Sequence, residues 1–171
     1  MSLQAKQVGP QQASPQRVAF LLDNLNGGGA ERVVLSMASG FASLGYEVDL
    51  LVCELQGELC GSVPPGVNLV VLQPVGKLAG LGAAIRRAGW RGLRGILFWL
   101  ASARKIPRSF RYIRDISDYL ETTRPAVISS ALGKSSISAI LAASGLDVPT
   151  RVFVGVHIAL SIRSEQSRKS G

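Results

Sequence analysis

The sequence predicts an α/β fold, a doubly wound parallel sheet of Rossmann-like type in a single domain, and three observations predict it. Short apolar, β-branched runs alternate with helical stretches, a glycine-rich loop joins the first run to the first helix, and the alternation resumes in the last third of the chain. At 171 residues, 47% hydrophobic and 18% charged, the chain can bury one sizeable core and is too short for two full α/β domains.

Each element has its own signal. Arg17 to Leu22 (RVAFLL) is apolar and bounded by turn residues, as a strand buried on both faces requires. It runs into Asp23-Asn24-Leu25-Asn26 and the glycines Gly27, Gly28 and Gly29. From Ala30 to Leu44, the residues Val33, Val34, Met37, Ala38, Phe41 and Leu44 fall at helical spacing, and Gly45 supplies the stop. Glu47 to Cys53 (EVDLLVC) reads as a second strand, and a Pro-Pro-Gly turn at Pro64 to Gly66 leads into a third at Asn68 to Leu72. A long helical region from about Leu93 to Glu121, broken near Pro107, closes at Thr122 to Pro125. Then come a strand at Ala126 to Ala131, a helix at Lys134 to Ala143 and a strand at Arg151 to Gly155.

The flanks are different. Residues 1–16 are polar, rich in Gln, Ser and Pro, and lack the apolar run of a signal peptide, so they read as a flexible leader. Residues 164–171 read as a polar tail or the start of a linker, which leaves 17–163 as the domain proper. No segment reaches the ~18 uninterrupted apolar residues of a membrane span. The two cysteines, Cys53 and Cys60, are too few for a disulfide framework and, with one histidine in the chain, lack the partners of a zinc site. A reduced, cytoplasmic protein that binds no metal is the simplest expectation.

In a doubly wound sheet, ligands bind where strands end and helices begin, because helix N-termini expose unpaired N–H groups with partial positive charge. Three features converge on that edge. The first is Gly27-Gly28-Gly29, where missing side chains let a phosphate approach the backbone, although the same glycines suit a tight turn. They do not form a dinucleotide fingerprint, since Arg32 stands where the third glycine of G-x-G-x-x-G belongs. A dinucleotide-binding domain, with Glu54 as the ribose-holding acid, remains an alternative. The second is Gly133-Lys134-Ser135, which lacks the spacing of a P-loop because Ile128 occupies the earlier glycine position. As a helix start it still offers backbone donors, Lys134 and Ser135 to an anion or acceptor, or serves simply as a surface cap. The third is His157, just past the strand at Arg151 to Gly155. It reads as a site residue or as a buried core histidine.

These segments together carry a resemblance. The order LLDNLNGGGAERVVLSMASGFASLGYEVDLLV, AVISSALGKSSISAILAA, RVFVGVHIALSIR resembles the N-terminal domain of family 4 glycosyltransferases, retaining enzymes of the GT-B fold, from about Arg17 to Arg163. Its most specific piece is Gly28-Gly29-Ala30-Glu31-Arg32. The resemblance implies that the glycine loop, Gly27, Gly28 and Gly29, lies against the diphosphate of a nucleotide-sugar donor. It places His157 near the sugar and acceptor as the catalytic candidate, and Arg163 matches a frequent basic residue. Where the family usually has Asn or Asp after that histidine, this chain has Ile158. The resemblance further implies retention of configuration, no metal or separate cofactor, and a C-terminal GT-B domain, outside this sequence, that makes most donor contacts. The chain alone is therefore expected to be inactive.

Charge adds a location. The chain carries 19 Lys plus Arg against 11 Asp plus Glu, a net +8, so its surface suits anionic partners. From Leu59 to Arg114 there is no acidic residue, while ten basic ones accumulate, among them Arg86, Arg87, Arg91 and Arg94. Trp90, Phe98 and Trp99 are interleaved with them, as in helices that lie on an anionic membrane surface. A core helix with a solvated basic face would look similar. Nucleic acid is disfavoured because no recognition motif accompanies the charge. The expectation is a domain at the inner face of the cytoplasmic membrane that receives a lipid-linked or membrane-proximal acceptor for polysaccharide or glycolipid synthesis. A non-catalytic membrane- or anion-binding module is the alternative.

Overall fold

The computed structural model describes residues 16–76, 111–131, 133–144 and 146–155. Five strands, β1 (Arg17–Leu22), β2 (Glu47–Val52), β3 (Val67–Val71), β4 (Val127–Ser130) and β5 (Arg151–Val154), form one sheet in the order β3-β2-β1-β4-β5. All pairings are parallel. Among the described residues three α-helices cover it: α1 (Gly29–Ser43), α2 (Ile113–Thr123) and α3 (Gly133–Ala143). The sheet is doubly wound, as the alternation of elements predicted.

Strand alternation feeds two separate cores. Val18, Phe20 and Leu22 face α1 and pack with Val34, Leu35, Ala38, Val48, Leu50 and Val52. Ala19 and Leu21 point the other way, into Leu51, Ile113, Ile116, Leu120, Ala139 and Ala142. Each fully buried Leu or Ile contributes about 1.5–3 kcal/mol by leaving water.

The buried stripe of α1 differs from the sequence expectation. Val34 and Ala38 are buried, but Val33, Met37 and Leu44 are 42%, 40% and 76% exposed, and Leu35 is buried instead. The helix is apolar over a wide arc, and contact with β1, β2 and β3 selects the half of it that runs through Val34, Leu35 and Ala38. Its end follows the expectation. Gly45 takes φ +85, its N–H bonds to Ala42 and that of Tyr46 to Phe41, and the Phe41 and Tyr46 rings meet edge to face at 5.3 Å.

A buried carboxylate ties the second core to the sheet. Asp49 on β2 is 2% exposed and accepts hydrogen bonds from Tyr119 Oη (2.5 Å), Asn68 Nδ2 (2.9 Å) and Arg17 Nη1 (3.3 Å). Arg17 also pairs with Glu47. Burial, reinforced by the Asp49 bond, holds the Tyr119 phenol above its ordinary range, so it stays a donor. No helix among the described residues is long and apolar enough to cross a membrane.

Removing the Tyr119 donor leaves a buried carboxylate short of one partner. Tyr119→Phe is expected to lower unfolding stability by about 1–3 kcal/mol in denaturant titration, without change in secondary structure. No measurable loss would mean that Arg17 and Asn68 suffice for Asp49.

Candidate functional site: two helix N-termini at the switch point

The strand order reverses direction at β1. From β1 the chain crosses to β2 over one face through α1, and from β4 to β5 over the other through α3. The N-termini of α1 and α3 therefore flank the gap beyond the C-terminal ends of β1 and β4, the place where open α/β sheets bind ligands. Gly27, Gly28 and Gly29 lie on one side of that gap, and the start of α3 lies on the other.

The three glycines serve different ends. Gly27 has φ +89, a conformation that side chains resist, and a Cβ there would lie 3.0 Å from Glu58 Oε2. Gly28 is the N-cap of α1, and the space its Cβ would fill is taken by the carboxylate of Glu31, itself 8% exposed. Only at Gly29 does an added Cβ meet nothing within 4 Å. Open space where a side chain would stand is thus found, of these three, at Gly29, the first position of α1, while Gly27 and Gly28 face Glu58 and Glu31.

The loop is held from outside. Leu25 is fully buried, its N–H bonds to the Gln56 carbonyl, and its own carbonyl accepts from Leu59 N–H at 3.0 Å. Leu59 belongs to a 3-10 turn, Glu58–Ser62, that sequence periodicity did not reveal. Gly57, φ +119, precedes that turn, and a Cβ there would lie 2.1 Å from the Leu25 carbonyl oxygen. Arg32 reaches back to the Gly27 carbonyl with Nε at 3.3 Å, and Asn24 Oδ1 accepts from Asn26 N–H.

Across the gap, Ser135 is fully buried. Its hydroxyl accepts from Ser130 at 3.0 Å, and Ser136 bonds to the same Ser130, so these side chains fasten β4 to α3. The hydroxyl expected to face an anion is therefore in the protein interior. Lys134 falls in the first turn of α3, with its side chain outside the described residues. His157 and Arg163 also lie outside them, as do Arg86, Arg87, Arg91, Arg94, Trp90 and Trp99. Glu54, the acid of the dinucleotide alternative, stands past β2 with its carboxylate accepting from Gln56 Nε2 at 2.9 Å. Cys53 beside it is no nucleophile at neutral pH, since burial, with Asp23 and Glu54 nearby, pushes its thiol up to about 12.

A parallel sheet of this order, a glycine loop opening its first helix and a second helix N-terminus opposite are the features of a Rossmann-like domain. The calicheamicin glycosyltransferase CalG4 has a similar crystal structure, with a TM-score of 0.50 and 14% identity over 92% of this chain and 36% of that one. This chain spans about a third of the CalG4 chain, and the likeness is one of fold. A family model described as a glycosyl transferase 4-like domain matches residues 28–170, and the chain belongs to that family. A search of curated protein sequences finds no significant match.

Gly57 and Gly29 make opposite demands on a methyl group. Gly57→Ala is expected to cost at least about 2 kcal/mol, from a disfavoured φ and collision with the Leu25 carbonyl. Gly29→Ala is expected to leave stability unchanged or raise it by up to about 1 kcal/mol, as alanine does in a helix. Thermal and denaturant unfolding of the two variants checks both.

Proposed function

We propose that this domain forms one wall of a cleft in which a hexose-type residue passes from a nucleotide-sugar to a lipid-linked or membrane-proximal acceptor. The carrying observation is the open space over Gly29, at a helix N-terminus on the switch-point edge, in a chain of the glycosyl transferase 4-like family. Backbone N–H groups of the first turn of α1 stabilise the donor diphosphate, aided by the partial positive charge of the helix end. The N-terminus of α3 offers a second set of donors, with Lys134 in its first turn as an additional cation. His157, which follows β5, acts near the transferred sugar, and Arg163 offers a charge to phosphate or acceptor. Retention of anomeric configuration and metal-independent transfer are part of the proposal. So is a second GT-B domain that closes the cleft, without which the 171 residues do not turn over substrate.

In the complete enzyme, Gly29→Val places a side chain in the space reserved for the diphosphate. Its KM for the nucleotide-sugar is expected to rise at least about tenfold, the loss of roughly one charge-assisted hydrogen bond, with the fold intact by circular dichroism. His157→Ala is expected to lower kcat about a hundredfold or more at unchanged folded fraction. Unchanged kinetics in Gly29→Val would leave the glycine loop as a turn and overturn the donor-side reading.

The membrane-proximal part rests on the ten basic residues without an acidic one between Leu59 and Arg114, with tryptophans among them. Each cation near an anionic bilayer contributes about 1 kcal/mol. Replacing Arg86, Arg87, Arg91 and Arg94 with Ser is expected to weaken sedimentation with anionic vesicles, most at low salt, while the apolar contribution of Trp90 and Trp99 persists at high salt. Equal binding of the parent chain to anionic and neutral vesicles would remove the membrane from the proposal.

A further inference from the structure

The edge of the sheet opposite the glycine loop, where the strands begin, carries a second concentration of positive charge. Arg17 opens β1, Arg151 opens β5 and Arg124 follows α2, and with Thr122 and Thr123 they line an open cavity of about 880 Å³. Strand register assembles them, since β4 pairs Val127 with both Val18 and Arg151, and Arg124 lies three residues before Val127. None of the three is close to another in sequence.

The charges there are unequally committed. Arg17 is engaged by Glu47 and Asp49, and Glu47 is the single acid among the described residues that line the cavity. Arg124 and Arg151 are exposed, and among the described residues neither pairs with a carboxylate. Residues 1–15, which lead into the cavity wall at Gln16, contain no acidic side chain and one lysine. The Thr122 hydroxyl donates to the Asp118 carbonyl, so Thr123 is the hydroxyl that a ligand can use.

Arg124 carries a second signal. It is the one described non-glycine residue with positive φ, at +47, in the left-handed position where helices favour glycine. An arginine there costs about 1 kcal/mol or more relative to a residue that prefers the conformation. Interaction with the carbonyl end of α2 offsets part of that cost. The side chain it holds over the cavity accounts for its presence only if that side chain has a use.

We propose that this cavity binds a phosphate-bearing anion, with Arg124 and Arg151 as paired guanidinium donors and Thr123 as a hydroxyl donor. Two cations match a dianionic phosphate, and guanidinium forks bond its oxygens in pairs. The volume exceeds that of a bare phosphate and lies in the range of sites for small organic ligands, so the phosphate is one group of a larger molecule. Its source is a soluble phosphorylated compound or a lipid headgroup. The site lies across the sheet from the glycine loop and does not depend on the sugar-transfer reading.

The test is a titration of the 171-residue chain with inorganic pyrophosphate at low salt, followed through backbone amide shifts. Saturable shifts are expected at Thr123, Arg124 and Arg151. The double variant Arg124→Gly, Arg151→Gln is expected to raise Kd at least about tenfold. Its melting temperature should be unchanged or higher, because glycine suits the left-handed position; Arg151→Gln alone, on an exposed strand start, gives the same direction of change. No saturable shift at those amides, or equal affinity in the double variant, overturns the proposal. Phosphatidic acid vesicles then separate the sources: binding lost in the double variant marks a lipid headgroup, and binding kept while pyrophosphate affinity falls marks a soluble phosphate.

Discussion

The central strand has no solvent face. β1 is flanked by β2 and β4 and covered by α1 on one side and by α2 and α3 on the other, so from Val18 to Leu22 every side chain is buried. That constraint fixes the rest of the architecture, because a strand apolar on both faces is stable only where helices cover both faces of the sheet. The chain must then leave β1 in one direction and return on its other side, which creates the reversal of strand order and the gap beside it. The glycine loop is the exit from this strand, so the candidate site follows from the same constraint that forms the cores.

Polar groups buried beside these cores hold the elements in register. Asp49 draws Tyr119, Asn68 and Arg17 together from α2, β3 and β1, while Ser117 donates to the Ile113 or Ala142 carbonyl at the boundary of α2 and α3. On the cleft edge, Ser130 with Ser135 and Ser136 does the same for β4 and α3. Each of these groups has a partner within the protein and so serves the fold.

Local pattern made most elements legible. β1 was readable to the residue, and the other strands and α1 and α3 to within one residue at each described end, because their signals are periodicity and bounding glycines or prolines. The outcomes that pattern missed depend on distance. Nothing around Asp49 in EVDLLVC announces that Tyr119, 70 positions on, supplies its hydrogen bond, and Arg17, Arg124 and Arg151 come to line one cavity only through strand register. The burial of Ser135 and the choice of Leu35 over Val33 and Met37 are likewise set by what packs opposite them. At the glycine loop the three residues look alike in sequence, and only geometry separates Gly29, with open space where a Cβ would stand, from its neighbours.

The clasp between Leu25 and the turn after β2 bears on how a ligand meets this loop. With Leu25 held through both its N–H and its carbonyl, and no room for a Cβ at Gly57 beside it, the loop is ordered by folding itself. A diphosphate that docks there has little chain disorder to quench, which favours affinity through low entropic loss and rapid association. On the proposed reading, discrimination between donors falls to groups elsewhere in the cleft, while side chains in the connection from β2 to β3, far from β1 in sequence, set the shape of the loop.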